Sequence, residues 1–372
     1  MKKIILLLAF FIFLIPSYAI SLEDAGAADD GLTSGALENI YKVDENFSFM
    51  DITKNITEGH FSTDLKGVAS KGLSVFFKEV SSNVKIMSAL LLLGIFCTLL
   101  TNMQSSFGHV GTGEAAFFCC YAVLAGIAAV GFKEAADMVN SAMDSMNLFV
   151  ESMIPAITSL SIAQGKIVSA PIMNTQILIG ASLCDLVVKK IVMPLTYGVF
   201  ALRFVNNMTQ TQNLTKLCEL MQKTAKWILG LMLLLFTAIL SITNYAAGTT
   251  ETLSLKTAKF AVRTFIPVAG GALSDTVSAL TASAGAIKSA VGIAGIVVIA
   301  LISAYPLIKA AALTFLYNVM AAVLEPVSDT RMSKAVGAIG ECMGMLFAQL
   351  AVSAVMMIMS TAILITASGF GG

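Results

Sequence analysis

Apolar and polar positions divide the chain into segments of different period. Residues 4–15 form an unbroken apolar run behind Lys2 and Lys3, closed by Pro16 and followed by Ser17-Tyr18-Ala19. As a helix, about twelve residues reach roughly 18 Å, short of a bilayer core of about 30 Å. A positive start, a short apolar run and small residues before the break are the marks of a secretory signal. Residues 1–19 are therefore read as a signal peptide, with an uncleaved first anchor as the rival reading. Residues 20–83 then lie outside the cytoplasm. They open on a loose Asp-, Gly- and Ala-rich stretch, 21–35, and acquire helical spacing from Phe61 onward. Phe61, Leu65, Val68, Phe76 and Val80 share one face, with Lys66, Lys71 and Lys78 elsewhere, which predicts an amphipathic helix leading into the membrane.

From residue 84 the pattern is that of membrane spans. The first covers 87–100 and its polar caps, and the second 115–132. Residues 133–151 change character: Asp137, Asp144 and Glu151 recur every seven residues opposite Met138, Ala142, Met146, Phe149 and Val150. That spacing predicts an amphipathic helix along the interface or packed beside the bundle. A Pro-broken stretch, 154–171, precedes an apolar run, 177–205, which Asp185, Lys189, Lys190 and Pro194 interrupt. Further spans are predicted at 227–242, within 291–324 around Pro306, and at 342–367. The expected fold is an all-α polytopic membrane protein, a bundle of about six to eight transmembrane helices with a small exported helical segment.

The second half repeats the order of the first. Pro155 and Pro267 stand 112 residues apart, as do Pro194 and Pro306, Asn206 and Asn318, and Gly180 and Gly292. Proline is scarce here, so the matched prolines carry the argument, and all four are expected at helix breaks. The organisation expected is a first transmembrane helix and loop over 84–114, tandem units over 115–226 and 227–338, and a final helix and tail over 339–372. If 177–205 and 291–324 each cross once, the units are parallel; if each is a hairpin bent at its proline, they are inverted. The run 291–324 is about 51 Å long as a helix, which favours a hairpin or a steep kink there.

Composition agrees with this reading. Hydrophobic residues make up 57% of the chain and charged residues 12%, too few to cover a water-facing surface of this size. Mean hydropathy is +0.84. Charge is uneven: residues 20–84 hold 11 acidic and 5 basic side chains, residues 85–372 hold 12 and 16. No basic cluster marks a nucleic-acid partner; the expected partner surface is the lipid bilayer. The six cysteines avoid the exported head and form no metal-binding spacing, and the only histidines are His60 and His109. Gly108, Gly111 and Gly113 lack the Lys-Ser/Thr of a phosphate loop, and no hydrolase motif is present. The expectation is a protein that is not an enzyme and has no cofactor, metal or catalytic residue.

Polar residues inside apolar segments are the remaining candidates. Asp185 and Lys189 stand four apart and can pair on one helix face; Lys190 adjoins them, and Lys309 follows the matched proline. Charges at such depth are costly and default to a functional hypothesis, although lysines at a boundary can also snorkel to the interface. Asn206 and Asn318 are expected to bond between helices. Gly340 and Gly344, like Ala125 and Ala129, allow close helix approach.

The segments Ser254-Leu255-Lys256-Thr257-Ala258-Lys259-Phe260, Phe265-Ile266-Pro267-Val268, Ser274-Asp275-Thr276 and Val291-Gly292-Ile293-Ala294-Gly295 resemble the stage III sporulation protein AE family of endospore-forming bacteria. So do Tyr305-Pro306-Leu307-Ile308-Lys309, Ala321-Ala322-Val323-Leu324-Glu325-Pro326, Met153-Ile154-Pro155 and Val192-Met193-Pro194-Leu195. The resemblance implies a multi-pass protein of the mother-cell membrane around the forespore, with its N-terminal region extracytoplasmic. It further implies membership of a trans-envelope assembly that holds a secretion-type ATPase and ring-forming proteins, with stage II sporulation protein Q as an indirect partner. That assembly is thought to act as a channel or feeding conduit needed for late forespore development. Two roles follow: a permease-like component forming or gating the path, or a non-conducting scaffold that recruits the ring proteins and ATPase. An unrelated small-solute transporter is the third reading. The family brings no established catalytic residues.

Overall fold

A computed structural model describes residues 65–106, 110–164, 169–208, 214–239 and 270–366, and every element among them is helical. The signal, most of the acidic head, and Pro267 with its neighbours lie outside the described residues. In chain order the helices are α1 (Leu65–Ser82), α2 (Val84–Ser106), α3 (Val110–Ala163), α4 (Ser169–Val187), a five-residue π turn (Val188–Val192), α5 (Met193–Met208), α6 (Thr215–Ile239), α7 (Gly270–Leu324) and α8 (Thr330–Thr366). Chain buried in hydrocarbon must satisfy its own backbone groups, which the α-helix does within one segment. Five of these helices are long and apolar enough to cross a membrane.

Two expected boundaries are absent. Residues 115–132 and 133–151 are not a span followed by a separate helix, because α3 runs through Phe132 and Lys133 for 54 residues, about 81 Å. The apolar stripe never lapses: Phe132, Ala136, Val139, Met143, Met146 and Val150 are buried in turn, so the 133–151 segment packs along the bundle. The expected breaks at Pro155 and Pro306 are also corrected, since both prolines lie inside continuous helices. α7 continues for 55 residues, so 291–324 is no hairpin. The Ser303 hydroxyl donates to the carbonyls of Ile299 and Ala300 at 2.9 and 3.1 Å, one turn before Pro306, where side-chain donors help a membrane helix tolerate proline. At Pro194 the helix neither stops nor stays regular, and the π turn joins α4 to α5.

α8 forms the centre. It packs against α7 over most of its length and also meets α3, α4 and α5. Asp329 starts it, its Oδ1 accepting the Arg331 N–H at 2.8 Å. The Arg331 guanidinium lies 3.6 Å from the centre of the Phe117 ring of α3, which ties the start of α8 to the α2–α3 pair. α6 begins earlier than expected because Cys218, Ala225, Leu229, Met232 and Phe236 form a buried stripe that lies along α4 and α5. Its opposite side exposes Trp227, Leu231, Leu234 and Leu235, and α2 exposes Leu92, Phe96 and Leu99. Continuous apolar surface of this kind is stable against lipid. α1 lies on α7, Phe76 facing Phe315 with ring centres 5.9 Å apart, and Asn83 marks the turn into α2.

Candidate functional site

The expected pair of Asp185 and Lys189 is present, with Lys189 Nζ 2.6 Å from Asp185 Oδ1. A third charge joins it from another helix: Lys189 also donates to Asp144 of α3. Asn147 Nδ2, one turn along α3, donates to Asp185 Oδ1 at 3.2 Å. Lys189 thus bridges two carboxylates on two helices. The backbone beneath it is the π turn, closed by the Met193 N–H donating to the Val188 carbonyl, five residues back. Pro194 supplies the reason: in a regular helix its ring would collide with the Lys190 carbonyl, and a wider turn relieves that collision.

Beside this bridge a cavity of about 880 Å³ opens between α3 and α4. Asp137, Asp144 and Glu151 line it from α3, and Asp185 and Lys190 from the facing side. Seven residues correspond to about 10 Å along a helix, so the acidic heptad forms a ladder of carboxylates down one wall. The side-chain oxygens of Asn140 and Asn147 are buried there without a donor among the described residues. The stripe that read as the polar outside of an amphipathic helix is therefore one wall of a polar cleft.

Lys309 does not join this group. It sits on α7 with Nζ 3.6 Å from Glu79 Oε1 of α1, which makes it a clasp between α1 and the bundle. Asn206 bonds toward the next helix, its Nδ2 donating to Thr215 Oγ1 at 3.1 Å and its Oδ1 accepting the Leu214 N–H at 2.8 Å. Asn318 instead donates to Thr314 O of its own helix at 2.7 Å. It still serves packing: a Cβ at Gly340 would lie 3.0 Å from the Asn318 side chain and 3.2 Å from its backbone nitrogen. Gly344 faces Thr314 one turn further on. The glycine pair is thus used within the chain, where α8 crosses α7.

Three polar features had no place in the sequence reading. Arg203 of α5 pairs with Glu341 of α8 at 2.6 Å and donates to Gln222 of α6 at 2.8 Å. Arg203 and Glu341 line a second cavity of about 530 Å³ where α5 and α7 end and α6 and α8 begin. Gln349 donates to Thr196 at 2.7 Å in the fully buried seam between α8 and α5. Lys288 is 1% exposed within the apolar part of α7. The available signal for the first was Arg203 with Asn206 and Asn207 at helical spacing; Lys288 stands in a small-residue stretch that gives no pattern.

The profile of the family described as stage III sporulation protein AE matches residues 47–368. Stage III sporulation protein AE of Bacillus subtilis (strain 168) is 31% identical over 294 residues, which is 79% of this chain and 74% of that one. The chain belongs to the stage III sporulation protein AE family. Its sporulation role and its character as a multi-pass membrane protein follow. The match covers every described helix, so both cavities lie in the part shared with the family. No solved structure matches the chain.

Proposed function

We propose that this chain is the permease-like component of a trans-envelope conduit between mother cell and forespore, and that the cleft between α3 and α4 is part of the path. The observation that carries the reading is the Asp144–Lys189–Asp185 bridge set on a π turn beside an acidic cleft. Charges are kept in apolar helices where they serve a pathway, and π turns recur at functional sites. On this reading the protein sits in the mother-cell membrane with its head facing the forespore. It works with a secretion-type ATPase and ring-forming proteins, and indirectly with stage II sporulation protein Q. It catalyses no reaction itself, and a partner or a gradient supplies energy.

A scaffold role has its own support. α1, clasped to α7 by Lys309 and Phe315, turns Leu73 and Phe77 outward, 58% and 60% exposed, as a surface on which a ring protein could dock. Replacing Asp185 by Asn and Lys189 by Met together separates the two readings. The permease-like reading expects the protein to insert and co-purify with its partners while late forespore gene expression fails. Unaltered sporulation would exclude this bridge from conduction, and loss of co-purification with normal insertion would favour the scaffold.

A further inference from the structure

We infer that the outward face of α1 lies against the headgroups of an anionic lipid bilayer, as an interfacial helix where the chain enters the α2 span. Asn83 separates α1 from α2 only as a turn. Its N–H donates to the Glu79 carbonyl at 3.3 Å, and its own carbonyl accepts the Met87 N–H at 3.1 Å. Both bonds join residues four apart, so helical register is kept across the joint. Phe77, Ser81, Val84, Ser88, Leu92 and Phe96 follow one another at spacings of three or four, and all are exposed. The later part of this stripe belongs to a segment long and apolar enough to cross a membrane, Val84–Met103. A surface that suits lipid along α2 thus continues in phase onto α1, where Leu73 and Phe77 extend it.

Charge selects the lipid. Residues 65–106 hold Lys66, Lys71, Lys78 and Lys85, and Glu79 is the single acidic residue among them. Glu79 is turned inward: its side chain is 14% exposed, and its Oε1 lies 3.6 Å from Lys309 Nζ and accepts from Asn83 Nδ2 at 3.2 Å. Lys78 and Lys85 are exposed and stand seven residues apart, on a stripe beside Phe77 and Val84. The outward face therefore presents apolar side chains flanked by cations, with no carboxylate from α1 or α2. That is the layout of a helix lying in a bilayer interface. A lysine stem packs along apolar surface while its ammonium reaches a phosphate, and each lysine adds attraction to an anionic leaflet. A protein partner would need Leu73 and Phe77 alone; the phase shared with α2 and the unopposed lysines are what a lipid surface requires. The inference is independent of conduction through the α3–α4 cleft.

Trp227 is the only tryptophan in the chain, so Phe77→Trp in a Trp227→Phe background places one fluorescent reporter on the α1 face. The full-length protein is reconstituted into vesicles of equal parts phosphatidylcholine and phosphatidylglycerol, with one lipid or the other brominated near its headgroup. The expected result is quenching by both lipids, stronger when the anionic one carries the bromine, with the excess lost at high salt. Lys78→Gln should lower the preference for the anionic lipid about fivefold, the effect of one lysine at a charged leaflet. A reporter at Leu92→Trp, deeper on the same stripe and away from the lysines, should be quenched by both lipids without preference. Quenching at position 77 by acrylamide in water, with no response to either brominated lipid, would overturn the inference and leave the face to a protein. Equal quenching by the two lipids, a preference as large at position 92, or one unchanged in the Lys78→Gln, Lys85→Gln protein would overturn the choice of an anionic surface.

Discussion

Pro194 and Pro306 stand 112 residues apart, the first just after the π turn that joins α4 to α5 and the second inside the long α7, and the chain resolves them differently. Before Pro194 the backbone widens into a π turn that carries Lys189 and Lys190, and Lys189 bridges Asp144 and Asp185. Around Pro306 the helix stays α, with the Ser303 hydroxyl on carbonyls of the preceding turn and Lys309 reaching out to Glu79. The first helix spends its irregularity beside an acidic cleft, whereas the second serves as a strut for α8. The contrast teaches that prolines set at an equal spacing need not be handled alike by the backbone around them. Local polarity sets which irregularity lies beside a charged cleft.

The strut should be the less forgiving of change. Gly340→Leu forces a side chain into Asn318 at the α7–α8 crossing and should cost about 3 kcal/mol. Gly126→Leu, where a Cβ meets nothing within 4 Å, should cost little, and thermal unfolding in detergent measures both. Equal losses would remove the distinction between packed and open glycines. Pro306→Ala should stabilise by about 1–3 kcal/mol, because it restores a hydrogen bond to an otherwise regular helix. Pro194→Ala should gain less than about 1 kcal/mol, since the π turn already relieves the clash. The reverse order would mean that Pro194 is not the cause of the turn.

Charge changes come next. Lys189→Met leaves Asp144 and Asp185 facing each other, and with both carboxylates partly exposed should cost about 1 kcal/mol of stability. Its effect on late forespore expression should be far larger than that, the signature of a functional charge. Lys309→Met removes one partly exposed pair and should shift stability by no more than about 0.5 kcal/mol. If Lys309→Met abolishes sporulation while Lys189→Met does not, the two helices have been assigned the wrong roles.

The helices were legible because hydrophobic runs of this length admit one backbone solution. The Asp185–Lys189 pair was legible because spacing of four places two residues on one helix face. What failed was anything that depends on a neighbour. Lys133 looked like the end of a span, yet α3 continues because its buried stripe is matched by α7 and α8. Asp137, Asp144 and Glu151 looked like the polar side of an amphipathic helix, and only the approach of α4 makes them a cleft wall. Lys309 looked like a counterpart of Lys189, and only the docking of α1 gives it Glu79. Arg203 and Glu341 lie 138 positions apart, beyond the reach of any local pattern.

Chemical blockade of the cleft tests the central claim most directly. Ser141 is exposed and lines the cleft on the α3 wall. In a chain freed of its native cysteines, Ser141→Cys should support sporulation until a bulky thiol reagent modifies it. Late forespore expression should then stop, with the protein still inserted and assembled. Full modification with undiminished forespore expression would contradict a path through the α3–α4 cleft.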